Sequence, residues 1–426
     1  MQTEPGLPAR HAALELISSA LGRRGGLEET LTKPIFSTLE PRERLFARAL
    51  AMTTLRRLGQ IDRLLDARLQ KPPPDLVRQI LRIGAAQLFW MEAPDHAAVS
   101  TSVDLAAARP ETRPFKGLIN GVLRGLIRDG APPEDVEALA PPWLLARWRA
   151  AYGEADALAL ARAIAEEPAT DLTPRDPADA EALAAEIEGE VLPGPTVRTQ
   201  LRGDLTGWPG YAEGRWWVQD ASSAIPARLL NIAPAETAVD LAAAPGGKTM
   251  QLAAAGAKVT ALDRSPARLE RLEANLARVG LEAETIAVQA ERWEDTRQFD
   301  AVLLDAPCTS TGAFRRHPDA LWTTRPSDIA GLSGAQGRLL RSVADRTRPG
   351  GRLVYCVCSL EPEEGEAQVE AFLADRDDFR LDPVQPGEGG APEASLTPRG
   401  WLRILPHHRP GGTDGFFAAR LVRLPL

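Results

Sequence analysis

Between residues 8 and 130, apolar positions recur in steps of three and four, the spacing of one face of an α-helix. Phe115, Leu118, Ile119, Val122, Leu123, Leu126 and Ile127 make the clearest such stripe, and Gly130 closes it. Further helices are predicted over 12–21, over 43–69 with a break near Gly59, and over 76–91. Pro72-Pro73-Pro74 and Pro94 separate them. Residues 1–130 therefore read as an all-helical bundle with its own core. Prolines at 132, 133, 141 and 142 mark a linker over 131–142.

The period changes after that. Residues 143–165 and 177–187 read as helices, while Asp171-Leu172-Thr173 and Thr196-Val197-Arg198 read as short strands. A small α+β module over 143–215 is expected. From residue 216 onward strands and helices alternate, which implies a parallel α/β sheet. Strands are predicted at 238–241, 258–263, 284–288, 299–305 and 351–358. Two more, at 401–405 and 415–422, are joined by a Gly/Pro loop with no room for a helix, so they read as an antiparallel hairpin. Residues 387–398 form a Gly/Pro-rich loop. Ser265, Pro266 and Gly280 bracket a helix whose Leu269, Leu272, Leu276 and Val279 share one face, leaving Arg268, Arg271 and Arg278 for solvent.

Composition narrows the class. A chain of 426 residues exceeds one ordinary core, and 44% hydrophobic with 25% charged residues describes a soluble globular protein. Met1 to Pro5 lack the basic and apolar regions of a signal peptide, and no apolar run is long enough for a bilayer, so a cytoplasmic protein away from membranes is expected. Three cysteines, Cys308, Cys356 and Cys358, argue for reduced thiols over a disulfide framework. With five scattered histidines they make no four-ligand zinc set, so no metal site is expected. The net charge of −8 argues against a generic nucleic-acid binder. Residues 1–130, however, hold 19 Lys and Arg against 14 Asp and Glu, and a basic amino-terminal module on an acidic body is compatible with a polyanionic partner.

Two loops carry candidate chemistry. The first, Leu241-Ala242-Ala243-Ala244-Pro245-Gly246-Gly247-Lys248-Thr249, follows a strand and opens a helix. It is not a P-loop, because Ala242 stands where that motif needs glycine, and it lacks the G-x-G-x-x-G fingerprint. Small residues here let a flat, largely uncharged ligand approach the backbone. Asp263 ends the next strand, where a carboxylate takes the hydroxyls of a ribose. A ribose-reading acid without a pyrophosphate clamp points to S-adenosylmethionine. The second loop, Asp305-Ala306-Pro307-Cys308-Thr309-Ser310-Thr311-Gly312, places an acid and a thiol at the carboxyl end of a buried strand, the edge where open α/β sheets bind ligands. A surface turn around a structural cysteine is the plain alternative for that loop alone.

Together these stretches resemble the Sun/nucleolar-protein family of RNA cytosine-5 methyltransferases. The resemblance rests on Asp240 to Thr249, Asp263 and its helix, Asp305-Ala306-Pro307-Cys308, Tyr355-Cys356-Val357-Cys358-Ser359-Leu360, Gly412-Thr413-Asp414-Gly415-Phe416-Phe417 and Val218-Gln219-Asp220. It covers the chain from about 215 to the end, and the amino-terminal helices resemble a NusB-like RNA-binding domain. Gly312, Arg315-Arg316-His317-Pro318-Asp319 and Trp322 look like the bacterial branch that acts on small-subunit ribosomal RNA. The resemblance implies a Rossmann-like class I methyltransferase sheet over 216–426 with the carboxy-terminal hairpin.

The chemistry explains the two thiols. Carbon 5 of cytosine is too weak a nucleophile to attack a methyl sulfonium until a thiolate adds to carbon 6, and a base must then remove the carbon-5 proton so that the thiolate can leave. The sequence offers Cys308 and Cys358. The resemblance makes Cys358 the nucleophile and Cys308 the residue assisting release, whereas in related DNA enzymes the Pro-Cys cysteine attacks, which keeps Cys308 open as nucleophile. By the same resemblance Asp305 binds the polar edge of the cytosine, Lys248 reaches the base or the thiolate, and Glu291 approaches the adenosine. Ala242, Ala243, Ala244, Pro245, Gly246, Gly247 and Lys248 line the methionine end, with Asp263 and Asp305 completing the cofactor site. Three departures stand out: Glu291 where the family has Asp, Val357 where it has Thr, and Ala242 where it commonly has Cys. Cys356 reads as a buried bystander. A splayed or single-stranded cytosine is required, with Arg175, Arg315, Arg316 and His317 as phosphate contacts. The expected activity is methylation of small-subunit ribosomal RNA by a monomer. A transfer-RNA enzyme of the same chemistry and a non-catalytic, RNA-binding assembly factor are the alternatives.

Overall fold

The computed structural model describes residues 6–22, 30–31 and 33–425. Met1 to Pro5, read above for a leader, lie outside them. The chain divides into two compact units, one of residues 1–167 with 314–323, the other of 168–313 with 324–426.

The first unit is helical. Its helices are α1 (Leu7–Leu21), the short α2 (Pro34–Ser37), α3 (Pro41–Arg56), α4 (Leu58–Asp66), α5 (Asp75–Trp90), α6 (Asp95–Ala107), α7 (Lys116–Asp129) and α8 (Pro142–Ala165). Small residues on α1, Ala9, Ala12, Ala13 and Ala20, let it lie close to α3, and Leu14, Leu16 and Ile17 fill the shared core with Leu50, Leu55, Ile80 and Leu123. The stripe on α7 is buried through Ile119, Val122, Leu123 and Leu126, and Gly130 ends the helix at φ +82°. The break expected near Gly59 falls at Arg57 instead. Gly59 lies inside α4, where a Cβ would come within 2.0 Å of the Ala138 carbonyl oxygen, so it serves close packing and not the break. The segment 314–323 contributes α9 (Asp319–Thr323) to this unit, with the Phe314 ring 6.0 Å from that of Trp148.

The second unit opens with a small antiparallel sheet in the order β2-β3-β1-β4. Its strands are β1 (Thr170–Pro174), β2 (Glu190–Leu192), β3 (Thr196–Thr199) and β4 (Trp216–Val218), with α10 (Ala180–Glu186) between β1 and β2. Leu172, Leu183, Ile187, Val197 and Trp216 form its core. The β1 and β3 segments match the expected strands. The three-residue β2 and β4 carry no alternation long enough to read.

The large sheet comprises β5 (Thr237–Asp240), β6 (Lys258–Asp263), β7 (Glu284–Ala287), β8 (Phe299–Asp305), β9 (Thr347–Val357), β10 (Phe379–Leu381), β11 (Leu402–Ile404) and β12 (Phe416–Arg423). Its order is β10-β12-β9-β8-β5-β6-β7, with β11 also on β12. Strands β5 to β9 run parallel. The predicted hairpin exists, since Arg403 pairs with Phe417, yet β12 lies inside the sheet: it is antiparallel to β9 on one side and to β10 on the other. Helices α11 (Ile225–Leu229), α12 (Gly247–Ala254), α13 (Pro266–Val279), α14 (Pro326–Ala344) and α15 (Glu366–Asp375) complete the unit. On α13 the Ser265 side chain caps the helix, Gly280 ends it, and Leu269, Leu272, Leu276 and Val279 are buried, each contributing about 1.5–3 kcal/mol. Arg278 departs from the expectation of a solvated face. It donates to the Tyr211 and Trp216 carbonyls at 3.0 Å each, and its guanidinium lies over the Tyr211 ring.

Sequence order along the sheet reverses at β5, whose neighbours are β6 and β8. Carboxyl ends at such a switch point diverge and leave a crevice.

Candidate active site

The first wall of the crevice is the loop after β5. Asp240 ends that strand, buried, and accepts from the Thr249 hydroxyl at 2.7 Å, tying the start of α12 to the strand. Burial raises its carboxyl to about 6. Leu241 and Ala243 donate backbone hydrogen bonds to Leu303 on β8 and Leu262 on β6, so the loop is stitched to both neighbours. Gly246 turns it at φ +108°, in the left-handed region that glycine enters without strain. Asn275 donates to the Pro245 carbonyl, and Arg268 to that of Ala244.

Asp263 stands at the end of β6, 2% exposed. One oxygen accepts from the Ser265 N–H at 2.9 Å; the other takes the Ala244 N–H at 3.3 Å and Arg268 at 3.1 Å. This acid therefore touches the small-residue loop directly. Glu291 is exposed, in a single turn after β7.

The second wall comes from β8 and β9. Asp305 pairs in register with Cys356, which puts the chain past each strand side by side. The Sγ atoms of Cys308 and Cys358 are 3.5 Å apart, and the Ser310 hydroxyl lies 3.5 Å from Cys358 and 4.0 Å from Cys308. Both cysteines are half-buried, whereas Cys356 is buried completely and packs into the core. The Cys308 thiol, donating to Cys358, holds Cys358 below the ordinary thiol range, while that hydrogen bond and burial push Cys308 well above it. Burial also pushes Cys356 up.

Lys248 reaches across the crevice from α12 to Asp305, Nζ to Oδ2 at 2.6 Å, and its ammonium lies 5.2 Å from the centre of the Phe416 ring. Burial opposes the charge, but the carboxylate outweighs it, so Lys248 stays protonated well above neutrality. The lysine side chain is only 11% exposed, while that of Asp305 is half-buried, at 29%.

These contacts bring together Asp240, Asp305, Cys308, Cys358 and Lys248 with the 242–247 loop and Asp263. The proposed phosphate contacts fall in different units, Arg175 in the second and Arg315, Arg316 and His317 in the first. Arg175 is exposed but donates to the Val279 carbonyl at 3.0 Å. In the helical unit Arg316 is exposed and His317 half-buried. Arg315 is 2% exposed, and its carbonyl accepts from Arg56 at 2.6 Å. Its side chain is enclosed by protein. Sequence reading missed Glu364 and Gln336 and gave Phe416 no role of its own; all three pack around the cysteine loops or Lys248. An acidic run, Glu361-Pro362-Glu363-Glu364, reads as solvated surface, so nothing in it marked the buried Glu364.

Comparison with known proteins gives the family. The profile of the 16S rRNA methyltransferase RsmB/F family matches residues 227–422, and that of the NusB family matches 7–128. A probable ribosomal RNA small subunit methyltransferase B of Synechocystis is 36% identical, over 90% of this chain and 92% of its own length. The chain belongs to this methyltransferase family. A ribosomal RNA small subunit methyltransferase B of Klebsiella pneumoniae is 34% identical over 97% of this chain and 98% of its own. A methyltransferase homologue from Pyrococcus horikoshii, 27% identical, covers 67% of this chain and 95% of its own at a TM-score of 0.56. A further crystal structure, 24% identical, has the same fold over 98% of the chain at a TM-score of 0.80. The family makes the second unit that of an RNA methyltransferase. Among the described residues no group of three His, Cys, Asp or Glu could hold a metal ion, and no helix is long and apolar enough to cross a membrane.

Proposed function

We propose that the chain transfers a methyl group from S-adenosylmethionine to carbon 5 of a cytosine in small-subunit ribosomal RNA, with Cys358 as the covalent nucleophile. The observation that carries this is the pair of sulfurs 3.5 Å apart beside the Lys248–Asp305 pair, at the carboxyl ends of β8 and β9. The donor set fits S-adenosylmethionine better than a phosphorylated nucleotide. Lys248, a cation at the start of α12, is already neutralised by Asp305, and a carboxylate stands at the end of β6 beside the small-residue loop. Ala242 to Gly247 would hold the methionine end, and Asp263 and Glu291 the adenosine. When bound, S-adenosylmethionine would supply the methyl group as an electrophile, its methyl–sulfur bond breaking to leave S-adenosylhomocysteine.

The residues of the chain do the rest. Cys358 as thiolate adds to carbon 6 of the cytosine, and Asp305 holds the amino and ring-nitrogen edge so that the ring accepts the electron pair. Lys248 keeps Asp305 in place and stabilises the developing negative charge. After carbon 5 has been methylated, a base takes its proton, the ring electrons return and the carbon–sulfur bond breaks, releasing Cys358 as thiolate. Cys308, hydrogen-bonded to Cys358, assists that release. The chain would act as a monomer in the cytoplasm, a reducing setting with which its three free cysteines are in keeping. RNA would be held by the NusB-like unit, with Arg316 and His317 as phosphate contacts there and Arg175 as a phosphate contact of the second unit. The test is transfer of labelled methyl to unmodified small-subunit RNA. Native chain should yield 5-methylcytosine and Cys358→Ala none. Full activity in that variant contradicts the nucleophile, and label on transfer RNA alone contradicts the substrate.

A further inference from the structure

Glu364 is fully buried, where a carboxylate is costly unless its lone pairs are filled. They are. One oxygen accepts from the Thr309 N–H and from Gln336 Nε2, each at 3.0 Å. The other accepts from the Thr309 and Ser359 hydroxyls, each at 2.5 Å. Gln336 also holds the Pro307 carbonyl at 2.8 Å, and the Tyr355 hydroxyl donates to the backbone carbonyl of Glu364 at 2.6 Å. Thr309 directly follows Cys308, and Ser359 directly follows Cys358. One carboxylate thus grips the residue after each sulfur.

We propose that Glu364 is a positioning residue which fixes the spacing of Cys308 and Cys358 and, by its place beside the Cys308 loop, adds to the bias that favours Cys358 over Cys308 as the reactive thiol. The sulfurs follow different strands, and Glu364 links the residues after them, alongside the Gly312 to Cys358 backbone hydrogen bond. The charge of Glu364 also adds to the asymmetry of the pair. The hydrogen bond between the two thiols acts first, lowering Cys358 and raising Cys308, and burial raises both; beyond these, Asp305 disfavours a thiolate on either cysteine, Lys248 favours one on Cys358, and Glu364 disfavours one on Cys308. The other groups facing this cluster are Cys356, Tyr355 and Arg403. Arg403 is engaged by Glu366 at 2.9 Å and by the Ser359 carbonyl at 2.5 Å. Glu361 enters through its backbone, which donates to the Ser359 hydroxyl at 3.0 Å.

The proposal rests on the reading that both thiols serve one covalent cycle, but its test needs neither RNA nor S-adenosylmethionine. The full chain is alkylated with iodoacetamide across a pH series, and the labelled peptides of Cys308 and Cys358 are quantified separately by mass spectrometry. In native chain Cys358 should label first, with its inflection at the lower pH. Glu364→Gln keeps the shape and removes the charge. The Cys308 inflection should then fall by about one pH unit, and the ratio of Cys308 to Cys358 labelling near neutrality should rise by roughly tenfold. Glu364→Asp keeps the charge but withdraws it from Thr309, and should shift the ratio partway. If Glu364→Gln fails to fold, the Asp variant decides alone. A native labelling order and native inflections in every folded variant overturn the proposal. A shifted ratio in a chain that never methylates RNA supports it while contradicting the function proposed above. An active Glu364→Gln chain with native labelling does the reverse.

Discussion

The sulfur of Cys308 lies 3.5 Å from that of Cys358, although the two residues leave different strands and are separated by 50 positions in the chain. A hydrogen bond in which Cys308 donates and Cys358 accepts makes Cys358 the more acidic thiol of the two. Removing Cys308 should leave addition to cytosine intact while slowing release. Cys308→Ala incubated with S-adenosylmethionine and unmodified RNA should therefore accumulate an RNA–protein adduct that survives a denaturing gel. Adduct formation by Cys358→Ala instead would exchange the two roles.

Lys248 is the cation beside Asp305, and Met can replace its stem without its charge. Lys248→Met should lower methyl transfer by roughly 10²-fold or more, the size expected when one preorganised electrostatic contact to developing charge is lost. Single-turnover kinetics at saturating RNA would show this. A rate within twofold of native would place Lys248 outside the chemistry.

Asp240 makes a prediction about stability and pH. Its folded carboxyl is raised by burial to about 6, above the usual range near 4 of an unfolded chain. The folded state therefore holds this proton more tightly. Its contribution to stability is fully present below about pH 4 and is lost as pH rises through about 6, a change of roughly 3 kcal/mol. Urea unfolding of the native chain and of Asp240→Asn, compared from pH 4.5 to 7, should show the native chain losing stability relative to the variant as pH rises. A difference independent of pH would contradict the shifted carboxyl.

Gly312 ends the Cys308 loop. Its N–H donates to the Cys358 carbonyl at 3.0 Å, and its carbonyl accepts from Gly415 at 2.8 Å. A Cβ at Gly312 would lie 2.1 Å from the Gly415 carbonyl oxygen. Gly312→Ala should cost about 1–3 kcal/mol by overpacking and should disturb the sulfur spacing, so activity should fall together with the melting temperature. Unchanged values of both would mean that the loop has slack the close approach denies.

Much of this architecture was legible in the chain because its signals are local. The stripe on α7, the capped α13 and the apolar runs of β6 and β8 are set by periodicity and terminal residues, and each falls within a few positions of its expected bounds. What escaped depends on partners distant in sequence. The place of β12 between β9 and β10 follows from pairing, which a hairpin pattern does not reveal. Arg278 lost its solvated reading to Tyr211 and Trp216, more than sixty positions away. Arg315 reads as a surface cation until packing encloses it. Glu364 is the sharpest case, since no local feature distinguishes it from Glu363, yet only its side chain is held by Thr309, Ser359 and Gln336.

The direct trial of Cys358 as nucleophile uses small-subunit RNA carrying 5-fluorocytosine, whose carbon 5 has no proton to lose, so that addition and methylation proceed while release stops. Native chain incubated with that RNA and S-adenosylmethionine should form a stable adduct, and after nuclease and protease digestion the modified nucleotide should be found by mass spectrometry on the peptide containing Cys358. A nucleotide on the Cys308 peptide, or no adduct from a chain that methylates ordinary RNA, would contradict the account.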